Sequence, residues 1–249
     1  MVGIIIIGAL VVVCIYYTIH SKNLLMARYN TSKGNMDKAL ANYQKQYEKK
    51  PNKIMALNYG YLLLRDGQYE KAGEILGSIE SMKKVTESDK LQVQMLLGLV
   101  KWKTGHLDEA IAVYEGLMKD TVTTNIYANL GFLYIIKGDY QKALAFNKEA
   151  YEYNDENPVI LDNLGETYYR LGQYDEAEEY LLKAIHSQRA IAENYYHYAL
   201  VQIAKGDEDA ALDYLKKAAK MNINTLSGIT RSDVVKAIAK LEGRDGEQE

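Results

Sequence analysis

The chain has one cysteine, two prolines and two phenylalanines in 249 residues. Cys14 standing alone permits no intramolecular disulfide, so cross-links cannot hold the fold. With so few prolines, long segments are free to stay helical. A hydrophobic share of 48% beside 25% charged residues describes an ordered chain rather than a disordered one. Charge of one sign is not in excess either. A net charge of −3 and a pI of about 5.9 exclude the basic footprint that nucleic acid requires. Signatures of chemistry are missing as well. No glycine-rich phosphate loop, nucleophile elbow or His-Glu metalloprotease motif occurs. The histidines, His20, His106, His186 and His197, show no metal-ligand spacing with one another or with cysteine. These absences predict a protein that is not an enzyme, with no cofactor, no metal and no small-molecule substrate.

One long apolar run does occur, over residues 2–19, with no charge inside it. As a helix it would reach about 27 Å, enough for a thin bilayer core. Tyr16 and Tyr17 would stand at the headgroup level, and Lys22, Arg28, Lys33 and Lys38 follow it. The run is therefore expected to be a transmembrane anchor. The positive-inside bias then predicts a single-pass membrane protein with the rest of the chain on the cytoplasmic side.

The remainder is periodic. Over residues 158–191, Leu161, Leu164, Gly165 and Tyr168 recur at helical spacing. Gly172–Tyr174 then breaks the pattern, and Ala177, Leu181 and Ala184 mark a second helix. Its inter-helix glycine has counterparts at Gly34, Gly67, Gly105, Gly138 and Gly206, spaced mostly 33 or 34 residues apart. Five residues after each stands an alanine: Ala39, Ala72, Ala110, Ala143, Ala177 and Ala211. Seven residues before each stands Ala27, Gly60, Gly98, Gly131, Gly165 or Ala199. Small residues at these positions let two helices cross closely, and a helical pair of this size cannot bury its apolar face without neighbours.

On these columns residues 20–225 resemble the tetratricopeptide repeat (TPR) family, whose period is 34. The resemblance implies an all-α fold: an α-solenoid of about six helix-turn-helix repeats. Their expected bounds are 20–52, 53–86, 91–123, 124–157, 158–191 and 192–225. Thr230 with Asp233 reads as a capping box for a last helix, 230–242, whose Val234, Val235, Ile238 and Leu241 share a face. That helix would cover the end of the stack, and 243–249 would be a polar tail. Tyrosines at repeat-core positions, Tyr127, Tyr134, Tyr168 and Tyr195, are expected to pack with their hydroxyls in water.

In proteins of this kind the face of each first helix opposite its core lines a concave groove for partner peptides. Here that face holds Asn58, Tyr61, Leu99, Trp102, Asn129 and Phe132, then Asn163, Glu166, Tyr169 and Arg170. Its near half is apolar and its far half, with Asp162 and Glu193, is polar. Asn58, Asn129 and Asn163 fall in one column and resemble the asparagine ladders that grip a peptide backbone. The family's chaperone-tail clamp does not match, because Leu57 and Tyr61 stand where it needs lysine and asparagine. The expected function is a membrane-tethered scaffold binding a peptide or helix of a partner protein. A chaperone-like assembly factor outside the membrane and a regulatory subunit of an enzyme complex are the alternatives.

Overall fold

The computed structural model describes residues 35–243, which form twelve α-helices and one short 3-10 turn, with no strand among the described residues. In order these are α1 (Met36–Lys49), α2 (Lys53–Asp66), α3 (Tyr69–Gly77), α4 (Glu87–Lys103), α5 (Leu107–Asp120) and α6 (Thr124–Lys137). They continue as α7 (Tyr140–Tyr153), α8 (Pro158–Arg170), α9 (Tyr174–His186), α10 (Ala192–Lys205), α11 (Glu208–Ala219) and α12 (Arg231–Leu241). The chain divides into two compact units at Val100/Lys101, near the end of α4.

Local chemistry sets the helix ends. Asn52, Thr123 and Asn157 cap α2, α6 and α8, their side chains accepting from the amides of Met55, Ile126 and Ile160. Gly138 and Gly206 end α6 and α10 at φ 83° and 84°, a left-handed conformation that side chains with a Cβ adopt at a cost. Each glycine turns the chain straight into the partner helix, so the elements pair as antiparallel hairpins.

In the first unit α2 packs on α1 and α3. Tyr59, Leu63, Ala72, Leu76 and Ile79 are buried in it. In the second unit the first helices of successive hairpins also touch, α6 against α8 and α8 against α10. The alanine column is sealed: Ala110, Ala143, Ala177 and Ala211 have no exposed surface. The glycine column is forced by close approach. A Cβ on Gly165 would lie 2.5 Å from Leu181 Cγ, and one on Gly131 would lie 2.0 Å from Asn147 Oδ1.

The tyrosine expectation needs revision. Tyr127 and Tyr134 are buried, yet their hydroxyls donate to carboxylates, Glu149 at 2.6 Å and Glu115 at 2.7 Å. Burying a phenol beside an apolar helix leaves its O–H in want of an acceptor, and the second helix supplies one. Thr230 and Asp233 form the capping box of α12, which packs on α11. Of its apolar residues Val234 is buried but Val235 faces solvent, because a neighbouring position is turned by about 100° on a helix.

The expected anchor over residues 2–19 lies outside the described residues. The localisation built on it is corrected: among the described residues no helix is long and apolar enough to cross a membrane. The longest, α4, has 17 residues. It rises about 25 Å and carries Glu87, Asp89, Lys90, Lys101 and Lys103, so it is both short and charged.

Candidate functional site

The outer face of α2 in the first unit is apolar and open. Ile54, Leu57 and Tyr61 follow at three and four residues, so they share a side, and Tyr61 is 43% exposed. The Arg65 guanidinium lies 5.8 Å from the Tyr61 ring centre. Asn58 and, on α4, Leu99 are half-buried.

The second unit places Trp102 edge-on to Phe132, ring centres 4.9 Å apart at 79°. The Lys103 ammonium sits 3.6 Å from the Trp102 ring centre, and burial pulls that amine down to about 8. Phe132 is not open on its far side. Gly228, in the loop between α11 and α12, lies against it so closely that a Cβ there would stand 2.8 Å from ring carbon Cε2.

Two of the three column asparagines, Asn129 and Asn163, are committed inside the fold. Asn163, only 2% exposed, donates from Nδ2 to the Ala128 carbonyl at 2.7 Å. Asn129 is hydrogen-bonded to the Tyr114 hydroxyl. Asn194 repeats the device one repeat on, donating to the Pro158 carbonyl at 3.1 Å. In α8 and α10 these amides join first helices of adjacent repeats rather than facing outward. A related buried set, Asn147 Nδ2 donating to Thr167 and the Thr167 hydroxyl to the Asn163 carbonyl, links α7 with α8.

The far, polar half of the expected groove closes into a cluster. Asp162 and Glu166 are four residues apart on α8, and Glu193 and His197 are four apart on α10, so each pair shares a helix face. Asp162, Glu166 and His197 are 5%, 4% and 6% exposed. His197 Nδ1 lies 2.9 Å from Asp162 Oδ2, and because a carboxylate only accepts, that nitrogen carries the proton. His197 Nε2 lies 3.7 Å from Glu166 Oε2. The Arg170 guanidinium donates twice to the other Glu166 oxygen, at 2.9 and 3.2 Å. Burial alone would lower the His197 pKa, but the Asp162 and Glu166 charges outweigh it and hold it at about 9. Burial pushes the Glu193 carboxyl up, and Ser227 of the α11–α12 loop hydrogen-bonds to it. Tyr169 and Tyr196, both half-buried, stand nearby, and burial raises both phenols. Three of these groups, Asp162, Glu166 and His197, bring one donor atom each within 4.8 Å of the others, close enough for one metal ion.

Thus Glu166, Tyr169 and Arg170 gather around one cluster, Trp102 and Phe132 pair, and Asn58 and Tyr61 share α2. Spacing along the sequence does not mark His197 as a ligand, because its partners lie on the preceding repeat. The signal was present as two i, i+4 pairs one repeat apart.

Comparisons with known proteins agree on one architecture. Family models described as tetratricopeptide repeat match residues 91–119, 122–190 and 163–224, together more than half of the chain. BBSome complex member BBS4 of Bos taurus is 25% identical over 201 residues, covering 80% of this chain and 38% of that protein. The chain spans between about a sixth and two-fifths of the length of the curated relatives it matches. Among solved structures, a thermophilic TPR protein of Thermus thermophilus aligns at a TM-score of 0.63 and 21% identity, over 77% of this chain and 99% of that one. PilW, a type IV pilus biogenesis factor, aligns at 0.61 and 17%, over 79% and 90%. At such identities the structural likeness speaks for the fold alone.

Proposed function

We propose that this chain, which belongs to the tetratricopeptide-repeat family, is a non-catalytic scaffold that holds a peptide or helix of a partner protein. The observation carrying this reading is the open apolar face of α2, where Tyr61 is 43% exposed beside Ile54 and Leu57. Contiguous apolar surface of this kind marks interaction sites, and an amphipathic segment with matching anchors suits it. Trp102 on the second unit, backed edge-on by Phe132, supports the same reading there, since aromatic anchors carry much of the energy of such interfaces. Asn58 adds a polar contact on α2, Leu99 an apolar one on α4, and Tyr169 and Arg170 polar ones on α8. Asn129, Asn163 and Glu166 act from behind, through the hydrogen bonds that hold these helices in place.

Work within a larger assembly, as a subunit or assembly factor, fits this reading. A protein named as a member of the BBSome complex is similar over 80% of the chain. The test compares material co-purifying with the full chain and with Tyr61→Ser and Trp102→Ser variants of wild-type helicity. Loss of a partner protein from each variant is expected. A partner retained by both removes these surfaces from the proposal.

A further inference from the structure

The buried cluster between α8 and α10 has more acceptor capacity than its own donors satisfy. Asp162 is 5% exposed, and its Oδ1 has no hydrogen-bond partner among the described residues. Glu166 Oε2 reaches His197 Nε2 only at 3.7 Å, too far for a hydrogen bond, while Arg170 serves the other oxygen. One imidazole therefore stands between two buried carboxylates and satisfies one oxygen of the first. Glu193 adds a third carboxyl on the same face of α10. Asp162 and Glu166 face one guanidinium, and the His197 imidazolium, lying between the two carboxylates, meets the remaining negative charge.

From this geometry we infer that Asp162, Glu166 and His197 form a site for one divalent transition-metal ion. Each contributes a donor atom, and these lie within 4.8 Å of one another. Asp162 Oδ1, buried without a donor, is an oxygen such an ion would engage, and the cation would replace the His197 Nε2 proton that faces Glu166 Oε2 at 3.7 Å. One imidazole nitrogen with two carboxylate oxygens suits zinc, iron(II), manganese or cobalt better than calcium or magnesium, which take oxygen ligands alone. Arg170 on Glu166 is the outer contact that orients such a ligand. Because α8 and α10 belong to adjacent repeats, an ion here would clamp one repeat onto the next.

The competing account is an imidazolium ion pair that binds no metal, and cobalt(II) separates the two. It is titrated into the purified full chain, without a polyhistidine tag, and followed by its visible absorption and by calorimetry. One equivalent is expected to bind, with zinc displacing it. A variant combining His20→Asn, His106→Asn and His186→Asn leaves the cluster intact and should bind equally. His197→Asn and Asp162→Asn should each weaken binding at least about tenfold. Absence of saturable binding below about 1 mM overturns the site. So does loss of binding in the triple variant, or unchanged binding in folded His197→Asn. The wild-type and triple-variant arms decide the matter even where a cluster variant does not fold.

Discussion

Replacing Gly165 by alanine sets two effects of opposite sign against each other. Inside a helix the change is worth about 1 kcal/mol in favour of alanine, through backbone entropy. At this position the new Cβ would lie 2.5, 3.0 and 3.2 Å from Leu181 Cγ, Cδ2 and Cδ1. Leu181 has no exposed surface and is packed among Tyr168, Ala177, Tyr198 and Val201, so it has no free space to enter. Overpacking of such a core costs about 1–3 kcal/mol, which makes Gly165→Ala destabilising by up to about 2 kcal/mol net. Gly116 in α5 is the control, since a Cβ there would meet nothing within 4 Å. Gly116→Ala should stabilise by up to about 1 kcal/mol, and the gap between the two variants isolates the overpacking. Urea denaturation followed by far-ultraviolet circular dichroism, with midpoints compared, gives both numbers. A double-mutant cycle with Leu181→Ala completes the test. Alone that change costs about 2–5 kcal/mol. In the double variant the alanine methyl takes up vacated space, so the loss should fall short of the sum by about 0.5–3 kcal/mol. If Gly165→Ala stabilises as much as Gly116→Ala, or the cycle is additive, close approach does not explain the glycine column.

Tyr134→Phe removes the bond to Glu115 and should cost about 1 kcal/mol, whereas Tyr61→Phe should stay within about 0.5 kcal/mol; equal losses by denaturation would refute the assignment. Lys103 should titrate near 8 in a carbon-13 methylated-lysine NMR series, and a value above 10 would contradict its burial. Below its folded pKa the buried ammonium carries its full desolvation cost, so this lysine opposes folding less as pH rises from about 8 through the unfolded value near 10.5. Asp89 should titrate near 2 because the Lys53 ammonium, with the Thr86 hydroxyl and amide, hydrogen-bonds to the charged form. Its folded pKa is depressed, so its contribution is present above about 3.8 and lost as pH falls through 2; Lys53→Met should return the carboxyl toward 3.8 in a carboxyl carbon-13 titration.

How far the chain could be read without coordinates depended on the distance over which each feature is decided. The helical hairpins, the buried alanines at 110, 143, 177 and 211 and the capping box at Thr230 follow from periods and spacings within one repeat. Stacked repeats meet chiefly their neighbours, so a pattern recurring every 34 residues or so already records both the hairpin and its contacts. The groove could not be read this way. Asn163 looked free in its column, yet its amide is taken by the Ala128 carbonyl of the preceding repeat. Phe132 looked open, yet the loop at Gly228 returns across several repeats to cover it. His197 belonged to no ligand motif, yet α10 carries it to within 2.9 Å of Asp162. A helical period reports which way a side chain points from its own axis. What stands opposite depends on the rotation of one helix against the next and on the path of the final loop, and only tertiary packing settles those.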